Sequence, residues 1–426
     1  MLSLILFGGF LALLLASVPV AVALGAATVF AMLYTGTDFS LLPSIVYAGI
    51  EKFSLLAIPF FILAGLAMER GGVSRGLIGL VAHLVGHVRG GLAMVSVLST
   101  VLFGGISGSG PADTAAIGTP LIPAMVRRGY SPGFAAATVA AGATTDILIP
   151  PSIAFIVYGV IAETSITALF IAGVVPGLLL GMAYLSAAYL VSRREGYGGE
   201  RVEGEPLGRV LVGAVPGFGA IALIIGGIYS GFFTPTEAAA VAAVYGLAVG
   251  LFVTRQLRWG QLRTLFAEAA VGSAVVLTIV ALAGAFAWMV TTQGLAQAAG
   301  ALLRDLAGHP VLVLVAVNVL LLAAGMVMDA VSIYYVSLPI LLPLVDALGL
   351  SRLWFGAAMT LNLAIGQITP PVAVNLFIAA NIARVGLAEA SRWVWPYLVG
   401  ALIVLGLVTY LPELSLWLPR LLVGAR

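Results

Sequence analysis

The sequence predicts an all-α polytopic membrane protein built as an inverted-topology repeat, and three observations carry that prediction. Of its 426 residues, 62% are hydrophobic and 8% charged, against about 45–50% and 25% in an ordinary soluble domain. Apolar runs of roughly 20 residues, enough to cross a hydrocarbon core about 30 Å thick, recur from end to end. The interruptions in these runs are duplicated: Pro150-Pro151 and Pro370-Pro371 lie 220 residues apart, and so do Pro123 and Pro343, just after the other pair of breaks. The expected architecture is about ten spans of membrane-crossing length, two re-entrant helical hairpins and two helices broken at Pro-Pro.

Composition also excludes whole classes of function. The absence of Cys rules out disulfides, thiol catalysis and iron–sulfur ligation. His83, His87 and His309 show no metal-ligand spacing, and no Walker motif, Ser-His-Asp set or HExxH occurs. The chain is therefore expected not to be an enzyme and to need no organic cofactor, which leaves an ion gradient to drive any transport. A net charge of +2 gives no reason to expect nucleic acid. No Lys or Arg precedes Lys52, so the basic n-region of a cleaved signal peptide is missing and Leu2 to Ala16 reads as the first span.

Taken in order, the spans are expected near 2–17, 19–35, 54–68, 133–160, 167–191, 210–232, 236–254, 269–290, 352–380 and 393–412. Two further apolar pairs are short and flank flexible breaks, so each reads as a hairpin entering and leaving by one face. The first, 91–126, turns at Gly105-Ile106-Ser107-Gly108-Ser109-Gly110-Pro111-Ala112-Asp113; the second, 311–345, turns at Gly325-Met326-Val327-Met328-Asp329. Segments 71–88 and 293–308, mixed in polarity, read as amphipathic arms along the interface. Residues 1–191 form the first repeat, 192–209 a cytoplasmic connecting loop, and 210–426 the second repeat.

Charge location tests this layout. Of the 19 basic residues, fourteen arginines fall on one side of the membrane, while Lys52, Arg304, Arg352, Arg420 and Arg426 fall on the other. The positive-inside rule makes the arginine-rich side cytoplasmic and puts both termini outside. Reading Gly91–Gly105 as a full crossing would invert every later loop and spoil the bias. The two copies then have opposite orientation, a pattern of secondary transporters.

Gly and Pro at bilayer depth free backbone groups that hydrocarbon cannot satisfy, so the breaks must be covered by protein, water or ions. At the first tip, Ser107, Ser109 and three glycines allow a tight turn with exposed carbonyls and hydroxyls, and Asp113 opens the return helix. This suits an ion or substrate cradle; small residues also let helices approach closely, so packing is the plainer alternative. Thr145 to Ser152 and Ile365 to Val372 each end a helix segment, because two prolines remove N–H donors and push the preceding residue out of helical geometry. The broken ends would offer carbonyls to a cation and N–H groups to a carboxylate, whereas a mere kink needs neither. Asp146 and Asp329 lie in apolar sequence and should face a cavity, an ion or a partner. Asn318, Asn362 and Asn375 read as interhelical glue, with Asn375 also within a turn of the second Pro-Pro. Thr234-Pro235-Thr236-Glu237 reads as a helix cap, and Trp393, Trp395 and Trp417 as interface anchors.

Four stretches together resemble the large membrane subunit of tripartite ATP-independent periplasmic (TRAP) transporters: Gly105–Met125, Ile149–Gly159, Gly227–Leu247 and Gly366–Ala380. The resemblance covers essentially the whole chain in order. It implies a Na⁺-coupled importer of an organic acid anion, of the C4-dicarboxylate or sialic acid class, in a bacterial inner membrane and working as an elevator of the ion-transporter superfamily type. It implies two protein partners, a small four-helix membrane subunit and a periplasmic substrate-binding protein. No small-subunit sequence is fused here, so that partner is expected as a separate chain. One Na⁺ site would fall among Ser107, Ser109, Ile149 and Pro150, and a second among Gly325, Gly366 and Thr369. Substrate would sit between the tips, near Ser109, Asp113, Asp329, Thr369 and Asn375. Asp146 stands where the family pattern implies a small or apolar residue. A stand-alone Na⁺/divalent-anion symporter without a binding protein remains the alternative, and a membrane scaffold whose breaks only help packing is the other.

Overall fold

The two Pro-Pro pairs and the glycine-bearing tips stop helices where apolar character alone would carry them on, while single prolines such as Pro123, Pro176 and Pro343 lie within continuous helices. The computed structural model describes residues 1–199, 206–295 and 310–424, and these are helical with no strand among them. The first helices are α1 (Leu4–Leu15), α2 (Val20–Thr35), α3 (Leu42–Ile50), α4 (Ala57–Arg70) and α5 (Val73–Val85). The first hairpin is α6 (Gly91–Ser107) and α7 (Gly110–Arg127). A broken helix follows as α8 (Pro132–Ala143) and α9 (Ile153–Ala162), and then the long α10 (Ile166–Arg194).

The second half again places a hairpin before a broken helix. It runs α11 (Leu207–Tyr229), α12 (Pro235–Val253) and α13 (Leu262–Thr292), then the hairpin α14 (Pro310–Gly325) and α15 (Ala330–Ala347). The second broken helix is α16 (Arg352–Gly366) and α17 (Val374–Ala383), followed by α18 (Leu387–Tyr410) and α19 (Glu413–Val423). Among the described residues seven helices are long and apolar enough to cross a membrane. The expected spans 2–17 and 19–35 correspond to the shorter α1 and α2.

Several boundaries differ from those read in the sequence. Helix α3 was not expected, because nine residues behind a 3₁₀ turn are too few to stand out as a span. Nor was α19, whose Glu413 and Arg420 pair along one face of a short amphipathic helix. Helix α13 begins at Leu262 rather than near 269, and Glu268 in its extra turns pairs with Arg70 of α4. The connecting loop is shorter than 192–209, since α10 runs on through Arg193 and Arg194, cations that suit a helix C-terminus. The first expected arm is present as α5; most of the second, 293–308, and His309 lie outside the described residues.

Packing between the halves is reciprocal. The short half-helix α17 packs on α7 and α8, and its counterpart α9 packs on α15 and α16. Within each half the descending hairpin arm lies on the longer half-helix, α6 on α8 and α14 on α16. Around this centre, α13 packs against α2, α3, α4 and α15, α12 packs on α4, and α11 on α5. Bulky apolar side chains such as Phe30, Val271, Val319 and Ile403 remain exposed on the outside, as hydrocarbon requires.

Polar ties fall where the sequence places them. The Asn362 amide donates to the Asn318 carbonyl and side-chain oxygens at 2.9 and 2.8 Å, and Asn318 donates to Thr409 at 3.2 Å, linking α16, α14 and α18. Thr234 and Glu237 form a reciprocal capping box at the start of α12. Trp395 and Trp417 are exposed, whereas Trp354 is a core residue whose indole N–H donates to the Val408 carbonyl at 2.8 Å.

Candidate functional site

Each hairpin tip closes on the break of the helix that follows it. At the first, α6 ends at Ser107, Gly108 adopts φ 64°, and α7 starts at Gly110. A Cβ on Gly108 would lie 2.2 Å from the Pro151 carbonyl oxygen, so only glycine lets the tip meet the break this closely; its left-handed backbone adds a second reason. One on Gly105 would lie 3.7 Å from the Pro150 carbonyl oxygen. The carbonyl oxygens of Pro150 and Pro151 thus lie close to the hairpin tip. At the second tip Gly325 ends α14, and Gly366, which ends α16, lies against it: a Cβ on Gly366 would fall 2.5–2.7 Å from the Gly325 backbone.

Side chains complete the first tip. The Ser107 hydroxyl donates to Asp113 Oδ1 and accepts from the Ser109 backbone N–H at 3.3 Å. Asp113, in the first turn of α7, is fully buried, and so is Asp146 in the 3₁₀ turn that ends α8. Their carboxyl groups face one another. A cavity of about 510 Å³ opens beside them, lined by Ser107, Ser109 and Asp113 on the hairpin and by Glu69 and Glu268 on α4 and α13.

Between the halves a third polar group appears. Gln367, at the second break, and Asn375, at the start of α17, flank Gly110 at the tip of the first hairpin. Asn375 is fully buried with neither amide atom hydrogen-bonded, and the Gln367 side-chain oxygen is likewise buried and unpaired. Buried polar groups normally find partners, so this cluster has hydrogen-bonding capacity left for a ligand.

The structure therefore gathers Ser107, Ser109, Asp113, Ile149 and Pro150 at the first tip and break, with Asn375 reaching the same tip from the second half. Gly325 and Gly366 meet at the second tip, and Thr369 follows closely, its hydroxyl donating to the Ile365 carbonyl at 2.7 Å. Asp329 behaves differently. It caps α15, accepting from the Ser332 N–H at 3.1 Å and from the Ser332 hydroxyl at 2.5 Å, so its partner is local. Glu69, at the end of α4, and Glu268, just ahead of the apolar run of α13, stand where a charged residue is ordinary in sequence; only the fold turns them toward the cavity.

The family model for the DctM component of the tripartite ATP-independent periplasmic transporters matches residues 7–414. The chain belongs to that family. This DctM-family chain is 38% identical over 439 residues to the C4-dicarboxylate TRAP transporter large permease protein DctM of Rhodobacter capsulatus, covering 99% of each. To the sialic acid TRAP transporter large permease protein SiaM of Vibrio cholerae it is 34% identical, covering 98% of each. It is 40% identical to the isethionate TRAP transporter permease protein DctMQ of Oleidesulfovibrio alaskensis, over 97% of this chain and 66% of that longer protein. The crystal structure of the Alcanivorax borkumensis YdaH transporter shares the fold, with a TM-score of 0.66 at 16% identity over 96% of this chain and 97% of that one. The helical membrane architecture and the TRAP large-permease resemblance read from the sequence both hold.

Proposed function

We propose that this DctM-family permease imports an organic acid anion together with Na⁺, taking the anion from a periplasmic binding protein. The observation that carries the reading is the closure of each hairpin tip on a broken helix, with oxygen donors and unpaired amides converging there. The Pro150 and Pro151 carbonyls with Ser107 and Ser109 are the hard oxygen donors an alkali cation takes at such breaks; the Gly325–Gly366 contact with Thr369 supplies the second ion position. Asn375, Gln367 and the start of α7 offer N–H groups to a carboxylate. Relatives named for C4-dicarboxylates, sialic acid and isethionate support an organic anion as cargo. The tripartite family description supports a small membrane subunit and a binding protein as partners.

In this reading the halves have opposite orientation, both termini are periplasmic and ten spans cross an inner membrane. The hairpins and broken helices move as an elevator against the frame built on α13. Each Na⁺ carried beyond the charge of the anion gains about 2.3 kcal/mol per 100 mV.

Uptake into proteoliposomes carrying both membrane subunits is expected to need an inward Na⁺ gradient and the binding protein together. Full uptake without the binding protein would make the chain a stand-alone symporter. Ser107→Ala and Thr369→Ala are each expected to raise the half-saturating Na⁺ concentration about tenfold, the equivalent of about 1.4 kcal/mol. Wild-type Na⁺ curves for both variants would place the ions elsewhere.

A further inference from the structure

The first break carries a carboxyl group that the second lacks. At the 220-residue offset, Gly105 corresponds to Gly325 and Asp146 to Gly366. In the second copy those positions pack backbone to backbone. In the first, the Asp146 carboxylate lies against α6 in the space left by Gly104, where a Cβ would fall 2.4 Å from Asp146 Oδ1.

No basic side chain among the described residues pairs with it. Both Asp146 carboxyl oxygens and Asp113 Oδ2 are buried with no donor from other residues except Thr145 beside Asp146, the two acids lie within hydrogen-bonding reach of each other, and Asp113 Oδ1 takes the Ser107 hydroxyl. The other charged side chain acting on Asp113 is Glu69, a third carboxylate, and the neighbouring Arg70 is engaged by Glu268. Two carboxyl groups facing each other in a buried site cannot both be ionised alone: either a shared proton or a cation between them must offset the repulsion. Asp113 also lines the cavity that reaches Glu69 and Glu268, which gives a cation an acidic way in.

We propose that Asp146 and Asp113 hold a Na⁺ ion between their carboxylates, an ion position additional to those formed by backbone carbonyls and hydroxyls at the two breaks. This deepens the Na⁺-coupled reading above and rests on it. The ion joins α7 to the end of α8, so its arrival draws the return arm of the first hairpin onto the break. A bound cation also removes the repulsion between the two carboxylates, making closure of the tip depend on sodium.

The test is equilibrium binding of ²²Na⁺ to the purified full-length chain with its membrane partner, with melting midpoints measured in Na⁺ and in K⁺. Two variants are used: Asp146→Asn keeps the shape and removes the charge, and Asp146→Gly installs the residue found at the corresponding Gly366. Both are expected to bind one Na⁺ fewer at saturation, or to weaken one binding step at least about tenfold, since even an outer-shell partner of a metal site is worth that much. They should also melt no lower than wild type in K⁺, where the uncompensated carboxylate is a burden. Unchanged Na⁺ stoichiometry and affinity in both variants would mean that a proton closes the pair and would overturn the inference, while leaving the carbonyl-built sites standing. Absence of Na⁺ binding by the wild type would remove the Na⁺-coupled reading and this site with it.

Discussion

Gly366→Val is expected to abolish Na⁺-driven uptake in reconstituted vesicles. A Cβ at position 366 would sit 2.5–2.7 Å from the Gly325 backbone, closer than real side chains approach, and the obstacle is main chain rather than a flexible side-chain end. The second hairpin must therefore lift off the break. Overpacking of this kind costs about 1–3 kcal/mol in a well-packed core, and here the whole displacement falls on the proposed ion position. The reverse substitution discriminates. A Cβ on Gly325 would meet the Gly366 Cα at 3.3 Å and Leu363 at 3.5 Å, so a few tenths of an ångström of movement accommodates it. Gly325→Ala should keep measurable uptake with weakened Na⁺ affinity, while Gly366→Ala should lose most of it. Equal uptake by the two alanine variants would show that the tip does not close on the break during transport.

The same contact shows what a sequence can and cannot reveal. Pro-Pro pairs at a fixed offset announce two broken helices because proline acts on its own backbone; the breaks appear at 148–152 and 367–373, as expected. Hairpin tips announce themselves through runs of small residues for the same local reason. Which atoms meet across the halves is not a local property. Asn375 was legible as a polar residue one turn from a break, but its approach to Gly110 depends on α17 crossing onto α7. Asp329 was legible as an acid in apolar sequence, and the local rule that would have placed it is capping: an acid directly before a helix, with serine three residues on. Asp146 stood out by chemistry alone, and only the fold sets it opposite Asp113.

Tyr158→Ala is expected to lower stability by about 3–5 kcal/mol, the cost of deleting a large buried aromatic side chain. Tyr158 is fully buried on α9 and belongs to both halves at once. Its hydroxyl donates to the Arg352 carbonyl at the start of α16 at 2.7 Å, and its ring meets Tyr334 of α15 edge-on at 5.6 Å. Tyr334 in turn shares a 2.6 Å hydrogen bond with Thr360 of α16. Arg352 closes the ring of contacts by donating to the Ala162 carbonyl at the end of α9 at 3.1 Å. Tyr158→Phe removes one hydrogen bond and should cost only about 1 kcal/mol, with uptake retained. The functional consequence follows from the reciprocal packing. If the two breaks travel as one body, they must be joined away from the proposed ion positions, and this aromatic cluster is where the short half-helix α9 of the first half grips the second half. Loosening that grip should let the two ion positions move independently, so Tyr158→Ala vesicles should leak ²²Na⁺ in the absence of anion while Tyr158→Phe vesicles should not. An alanine variant that melts near wild type and stays tightly coupled would mean that the halves are held together elsewhere, or do not move as one.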